Sequence, residues 1–282
     1  MGMKTKHRFG TFFYHLFVCG FGLIMIYPVL WMISGAFKNN MEILNGGLKL
    51  LPPSWRFENF TNGWSGFGGI SFGRFFANSF IVAGISTAAT VFSSACVAYA
   101  FARIKFRGSK IWFTAMICTM MLPAQIILVP QYIIYNRLGW VGTFLPLIRP
   151  HFFGQAFFIY QMMQFAKGIP RELDEAATID GCSKYSIFTR IIFPLLKPSI
   201  VTTVIIQFYW KWDDFMAPMI YLNKPKMYTA SIAIKQFADA SSTTDYGAMF
   251  AMSTCSLVPV FLIFLIFNKY LVEGISTSGL KG

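Results

Sequence analysis

Six stretches of roughly 20 or more mostly apolar residues run through this chain, near 13–37, 77–102, 111–135, 143–165, 199–222 and 248–271. Each is long enough to cross about 30 Å of hydrocarbon as a helix. Inside a bilayer the backbone must satisfy its own N–H and C=O groups, which favours helices. The expected fold is therefore an all-α integral membrane protein, one transmembrane domain over residues 1–282 with six helices. Composition agrees, with 55% hydrophobic and 12% charged residues and a mean hydropathy of +0.54. Soluble chains carry about 25% charged residues. The first run has no small-residue cleavage site after it, so it is read as a retained span, not a signal peptide.

The net charge of +13 would suggest nucleic acid in a soluble protein. Here the basic residues sort by topology. With the N-terminus inside, most of the 24 Lys and Arg fall in inner connections, including the short RIKFRGSK turn at 103–110. That bias predicts cytoplasmic termini and contact with anionic lipid, with no nucleic acid needed. The five cysteines form no CxxC pair and are expected as reduced, buried small hydrophobes.

The connection 166–198 stands out as polar in so apolar a chain. It reads as two short helices. Pro170 suits a first helical turn, and Glu172, Asp174 and Glu175 follow where a helix dipole favours acid. Leu173, Ala176, Ala177 and Asp180 recur at helical spacing. Gly181 is a natural left-handed stop, and Ser183 can cap a second helix with Tyr185, Phe188, Ile191 and Ile192 as its apolar stripe. A lipid-surface helix usually presents a basic polar face. This acidic, alanine-rich one suits close contact with a protein partner instead.

At these residues the chain resembles a known family. PRELDEAATIDGCSKYSIFTRIIFPLLKP at 170–198 looks like the EAA loop of binding-protein-dependent ABC importer permeases, with Cys182 where alanine is usual. AYAFARIKFRGSK, MLPAQIILVPQYIIYNRLGWVGT, WDDFMAPMIYL and the tail EGISTSGLKG are similar to the smaller permease subunit of maltose-type carbohydrate importers. The resemblance implies a bacterial cytoplasmic-membrane protein with a second, related permease, two cytosolic ATPase subunits and an extracellular solute-binding protein. It implies no cofactor on this chain, with ATP and magnesium held by the ATPases. The EAA loop between spans four and five would be the cytoplasmic coupling helix. Glu172, Asp174, Glu175, Ala176, Ala177, Asp180 and Gly181 would then face the ATPase, and Gly279 and Lys281 of the tail would reach it as well. The outer loop 223–247 resembles the one that meets the binding protein.

Charged groups inside a span are costly and need a reason. Gln207, Lys211 and Asp214 share one face of span five, and Lys211 and Asp214, three apart, can pair. With Tyr209, Trp212, Asp213 and Arg149 they are the candidate sugar path. A structural ion pair, core-packed tryptophans and a snorkelling arginine are the competing readings. Asp213 departs from the asparagine usual in the family. There is no P-loop, HExxH or GxSxG motif, so neither an ATPase nor a hydrolase is expected, and no catalytic or metal site. The alternative is a self-contained secondary transporter or channel for a small polar solute. The absence of a clear inverted repeat of broken helices weighs against it.

Overall fold

The computed structural model describes the backbone of residues 3–238 and 244–279 and the side chains of 11–123, 125–238 and 244–267. Within that range the chain is helical. In order run α1 (Met3–Gly35), α2 (Asn40–Asn45), α3 (Glu58–Ser65), α4 (Phe72–Arg103), α5 (Ser109–Met120), α6 (Ala124–Arg137), α7 (Leu145–Ile148), α8 (Ala156–Gly168), α9 (Glu172–Ile179), α10 (Lys184–Ile187), α11 (Phe193–Leu195), α12 (Lys197–Trp212), α13 (Met216–Tyr221), α14 (Ala230–Gln236) and α15 (Tyr246–Gly279).

Among the described residues, three continuous helices are long and apolar enough to cross a membrane: Thr11–Gly35, Phe72–Arg103 and Tyr246–Phe267. They match the first, second and sixth expected spans. The other three are not single rods. The third bends by 103° between Met120 and Gln125, around Pro123. The fourth breaks into α7, a 3-10 turn over Arg149–Phe153 and α8, with Gly154 at φ +80°. The fifth ends at Trp212, four residues before α13 resumes. Proline explains two of these breaks. Pro123 and Pro150 lack the N–H an unbroken helix would use.

The residues fall into two compact units. The first comprises 1–72 and 234–257. Here Asn59 Nδ2 donates to the carbonyls of Ala36 and Lys38, at 2.9 and 2.8 Å. Asn40 takes the N–H of Tyr246 at 2.9 Å and gives one to Thr244 O at 2.7 Å. Asn39 and Glu42 close a reciprocal cap on α2. Lys38, only 3% exposed, donates to Lys49 O and lies over the Trp31 ring.

The second unit comprises 73–233 and 258–282. α4 organises it through buried small polar residues, Asn78, Ser79, Ser86, Thr90 and Ser94. Asn78 Nδ2 donates to Lys226 O and Tyr228 O. Ser86 Oγ donates to Leu147 O, Ser93 Oγ donates to His151 O, and Ser94 Oγ accepts from Gln155 N. The backbone freed by breaking span four thus finds its partners on α4. That is how irregular backbone is tolerated at membrane depth. Lower on the same helix Ala95, Ala98 and Ala102 are buried against Ile159, Met162 and Ala166 of α8. Such small residues let helix backbones approach closely.

Of the cysteines, none of which is in a disulfide, Cys19 and Cys118 are exposed on this chain. Cys96, Cys182 and Cys255 are half-buried, so the expectation that all five are buried is corrected.

Candidate coupling surface and solute path

The polar segment folds as two short helices meeting at Gly181. Gly181 N–H donates to Thr178 O at 3.0 Å and Cys182 N–H to Ala177 O at 2.9 Å. With Gly181 at φ +77°, this is a Schellman stop for α9. Ser183 Oγ accepts from Ser186 N at 3.2 Å, capping α10. Pro170 lies outside α9, which begins at Glu172, so it precedes the helix instead of occupying its first turn. α10 runs through a π turn over Phe188–Ile192 into α11, and that rod meets α12 at 72°.

Arg103, the last residue of α4, holds this elbow. Its Nη1 is 3.3 Å from Asp174 Oδ2, and its Nη2 donates to Ala166 O and Ile169 O at 2.7 and 2.6 Å. The Arg103 side chain is 3% exposed. Arg171 Nη2 answers to Ala102 O at 3.4 Å, and Tyr99 Oη donates to Lys184 O at 3.1 Å. Both short helices are therefore tied to one end of α4.

This geometry divides the expected coupling residues. Glu172, Glu175, Ala176, Asp180 and Gly181 are exposed, and so are Ile179 and Tyr185, at 86% and 75%. Ala177 is buried with Tyr99, Phe188 and Ile192, so it packs on its own chain and not outward. Asp174 is engaged in cis by Arg103 and is not a free anchor. The exposed apolar pair Ile179 and Tyr185 was missed as part of the surface, although both stand in the quoted motif. Gly279 ends the last helix, with its surroundings and Lys281 outside the described residues.

On the path side, Lys211 Nζ and Asp214 Oδ2 pair at 3.1 Å, each about one-fifth exposed. Asp214 Oδ1 accepts from Ala217 N at 3.2 Å, and Asp214 O from Ser231 Oγ at 2.8 Å. Beside the pair is a cleft of about 390 Å³ bounded by Gln125, Gln131, His151, Gln155 and Tyr221 together with Pro146, Leu147 and Met216. Gln207 does not line it. Fully buried, its Nε2 lies 3.2 Å from His151 Nδ1, so it braces the imidazole from behind. Trp212 is 6% exposed among Phe76, Phe80 and Phe208, with the Phe80 ring centroid 4.7 Å away, and is corrected from path to core. Arg149 stacks over Trp140 at 5.0 Å, away from the cleft, and Asp213 is exposed beyond the end of α12. Tyr209 is 48% exposed on an apolar groove with Phe261 and Phe264 and does not line the cleft. The amides of Gln125, Gln131 and Gln155 were not singled out by sequence. Their signal was a polar side chain in a run otherwise apolar.

Residues 94–277 match the family described as binding-protein-dependent transport system inner membrane component. A probable ABC transporter permease, YurM of Bacillus subtilis, is 36% identical over 92% of this chain and 85% of its own length. AraQ of the same species, an arabinooligosaccharides transport system permease, is 31% identical over 95% and 94%. The trehalose/maltose transport system permease MalG of Thermococcus litoralis is 28% identical over 92% and 93%. A bacterial ABC transporter involved in import of the acidic polysaccharide alginate has a chain that superposes with TM-score 0.82 at 20% identity, covering 96% of this chain and 99% of that one. Another structure of an alginate transporter, in complex with a pentasaccharide-bound periplasmic protein, superposes at 0.69 over 94% of this chain and 95% of that one. The chain belongs to the binding-protein-dependent transport system inner membrane component family. It is a membrane-embedded ABC transporter permease and not an enzyme.

Proposed function

We propose that this permease imports a sugar or short oligosaccharide handed over by an extracellular binding protein, and that it does so as half of a heterodimer driven by two cytosolic ATPases. ATP and magnesium belong to those ATPases, both termini lie in the cytoplasm, and the six apolar runs all contribute to the membrane domain. The relatives named for arabinooligosaccharides and for trehalose/maltose support the cargo class.

The observation that carries the reading is the elbow. It exposes Glu172, Glu175, Ala176, Ile179, Asp180 and Tyr185 on two short helices, yet is bound to α4 and α8 through Arg103. An exposed mixed acidic and apolar surface on a rigid mount suits a docking partner better than lipid headgroups. Closure of the ATPase pair would pull the elbow and, through Arg103, the end of α4. Nucleotide shifts the balance of inward- and outward-open states only by its differential affinity for them.

The test is co-purification of the assembled transporter carrying Glu175→Lys. Glu175 is exposed and in no ion pair among the described residues, so the variant subunit should fold normally. ATPase retention and sugar uptake should both drop sharply. A variant that keeps its ATPase and transports at the normal rate would remove the docking role.

A further inference from the structure

The alginate transporter shares this fold, so the fold alone does not set the charge of the cargo. The side chains of the cleft do. Lys211 and Asp214 are the only charged residues among those bounding it, and they neutralise one another at 3.1 Å. Asp214 is held further by Ala217 N, so the carboxylate is not free to swing away. The remaining polar lining is neutral. His151 Nδ1 has Gln155 Nε2 at 2.9 Å, Gln207 Nε2 at 3.2 Å and Thr90 Oγ1 at 3.3 Å. Two amides and a hydroxyl thus surround that nitrogen, and all three are neutral. Tyr221 is 2% exposed, and its hydroxyl is buried with no hydrogen-bond partner among the described residues, so it is closed off from the cleft. Pro146, Leu147 and Met216 add an apolar wall.

We propose that this cleft is a subsite for a neutral, polyhydroxylated sugar ring, in which the closed Lys211–Asp214 pair rejects uronates. The inference rests on the importer reading and deepens it. An acidic sugar would have to take Lys211 from Asp214 and leave two carboxylates close together in a half-buried site, which is strongly unfavourable. A neutral ring meets amides and an apolar wall without breaking any existing bond.

The assembled transporter in nanodiscs, without binding protein, is titrated with maltose, trehalose, diacetylchitobiose, arabinotriose and trigalacturonate. Binding is read from ligand-induced shifts of thermal unfolding. At least one neutral sugar should stabilise the wild type, and trigalacturonate should not. Asp214→Asn, which frees Lys211, should bind trigalacturonate at least fivefold more tightly than the wild type does. Adding Lys211→Gln should erase that gain. Trigalacturonate binding to the wild type as tightly as the neutral sugars overturns the charge filter and leaves the importer reading intact, as does an unchanged Asp214→Asn. If none of the five sugars binds the wild type, carbohydrate cargo itself is overturned.

Discussion

Arg103 and Asp174 meet 3.3 Å apart where the long helix α4 ends and the elbow begins, and the same guanidinium also gathers the carbonyls of Ala166 and Ile169. A rigid planar fork of five donors reaches acceptors spread in different directions, which the compact ammonium of a lysine matches poorly. Replacing Arg103 with alanine strands a partly buried carboxylate and two carbonyls. Loss of one partner of a buried pair costs about 3–5 kcal/mol. Arg103→Ala should lower the unfolding temperature of the complex, and Arg103→Lys should recover little of it. Asp174→Asn should keep the fold more nearly intact while raising ATP hydrolysed per sugar moved. An unchanged ratio in that variant would reduce the pair to a structural tie.

The two alanines of the motif should behave oppositely. Ala177 is buried among Tyr99, Phe188 and Ile192, so Ala177→Leu overpacks the site and should cost about 1–3 kcal/mol. Ala176 is exposed, so Ala176→Leu should leave thermal stability alone and weaken ATPase retention. Thermal unfolding and pull-down of both variants separate the faces. Equal effects would mean the helix is rotated from the orientation described.

Gly181 offers a purely backbone test. A side-chain carbon there meets nothing within 4 Å, but its φ of +77° is disfavoured for residues with one. Gly181→Ala should cost about 1–2 kcal/mol, and Gly181→Asn less. Denaturation midpoints measure this directly.

Gly247 is the steric counterpart. A Cβ there would lie 2.6 Å from Asn59 Nδ2, the donor that serves both Ala36 O and Lys38 O. Gly247→Ala should dislodge that amide and cost about 1–3 kcal/mol for the buried groups left unpaired. Limited proteolysis of the connection between α1 and α4 should quicken.

Much of the elbow was legible because its signals are local. The acidic first turn, the glycine stop at 181 and the serine cap at 183 act within a few residues and stand where the spacing places them. The Lys211–Asp214 pair, three residues apart, was legible for the same reason. The interior of the broken spans was not. A hydropathy run counts side chains and is blind to whether the backbone beneath is continuous, so Pro150 and Gly154 split span four without altering its apolar count. Asp174 looked available because its partner, Arg103, belongs to a distant stretch. Trp212 looked like a sugar platform because its neighbours Phe76 and Phe80 come from α4. Each of these outcomes was decided by α4, whose serines and threonines read in sequence only as slightly less apolar helix.

That helix carries a consequence for motion. Ser86, Ser93 and Ser94 each serve one backbone group of the segment 147–155. Turning α4 by a single residue would swing these hydroxyls about 100° and strip Leu147 O, His151 O and Gln155 N of their partners at once. The two segments are keyed like a shaft in its collar, and tilt as one piece is the only cheap movement left to them.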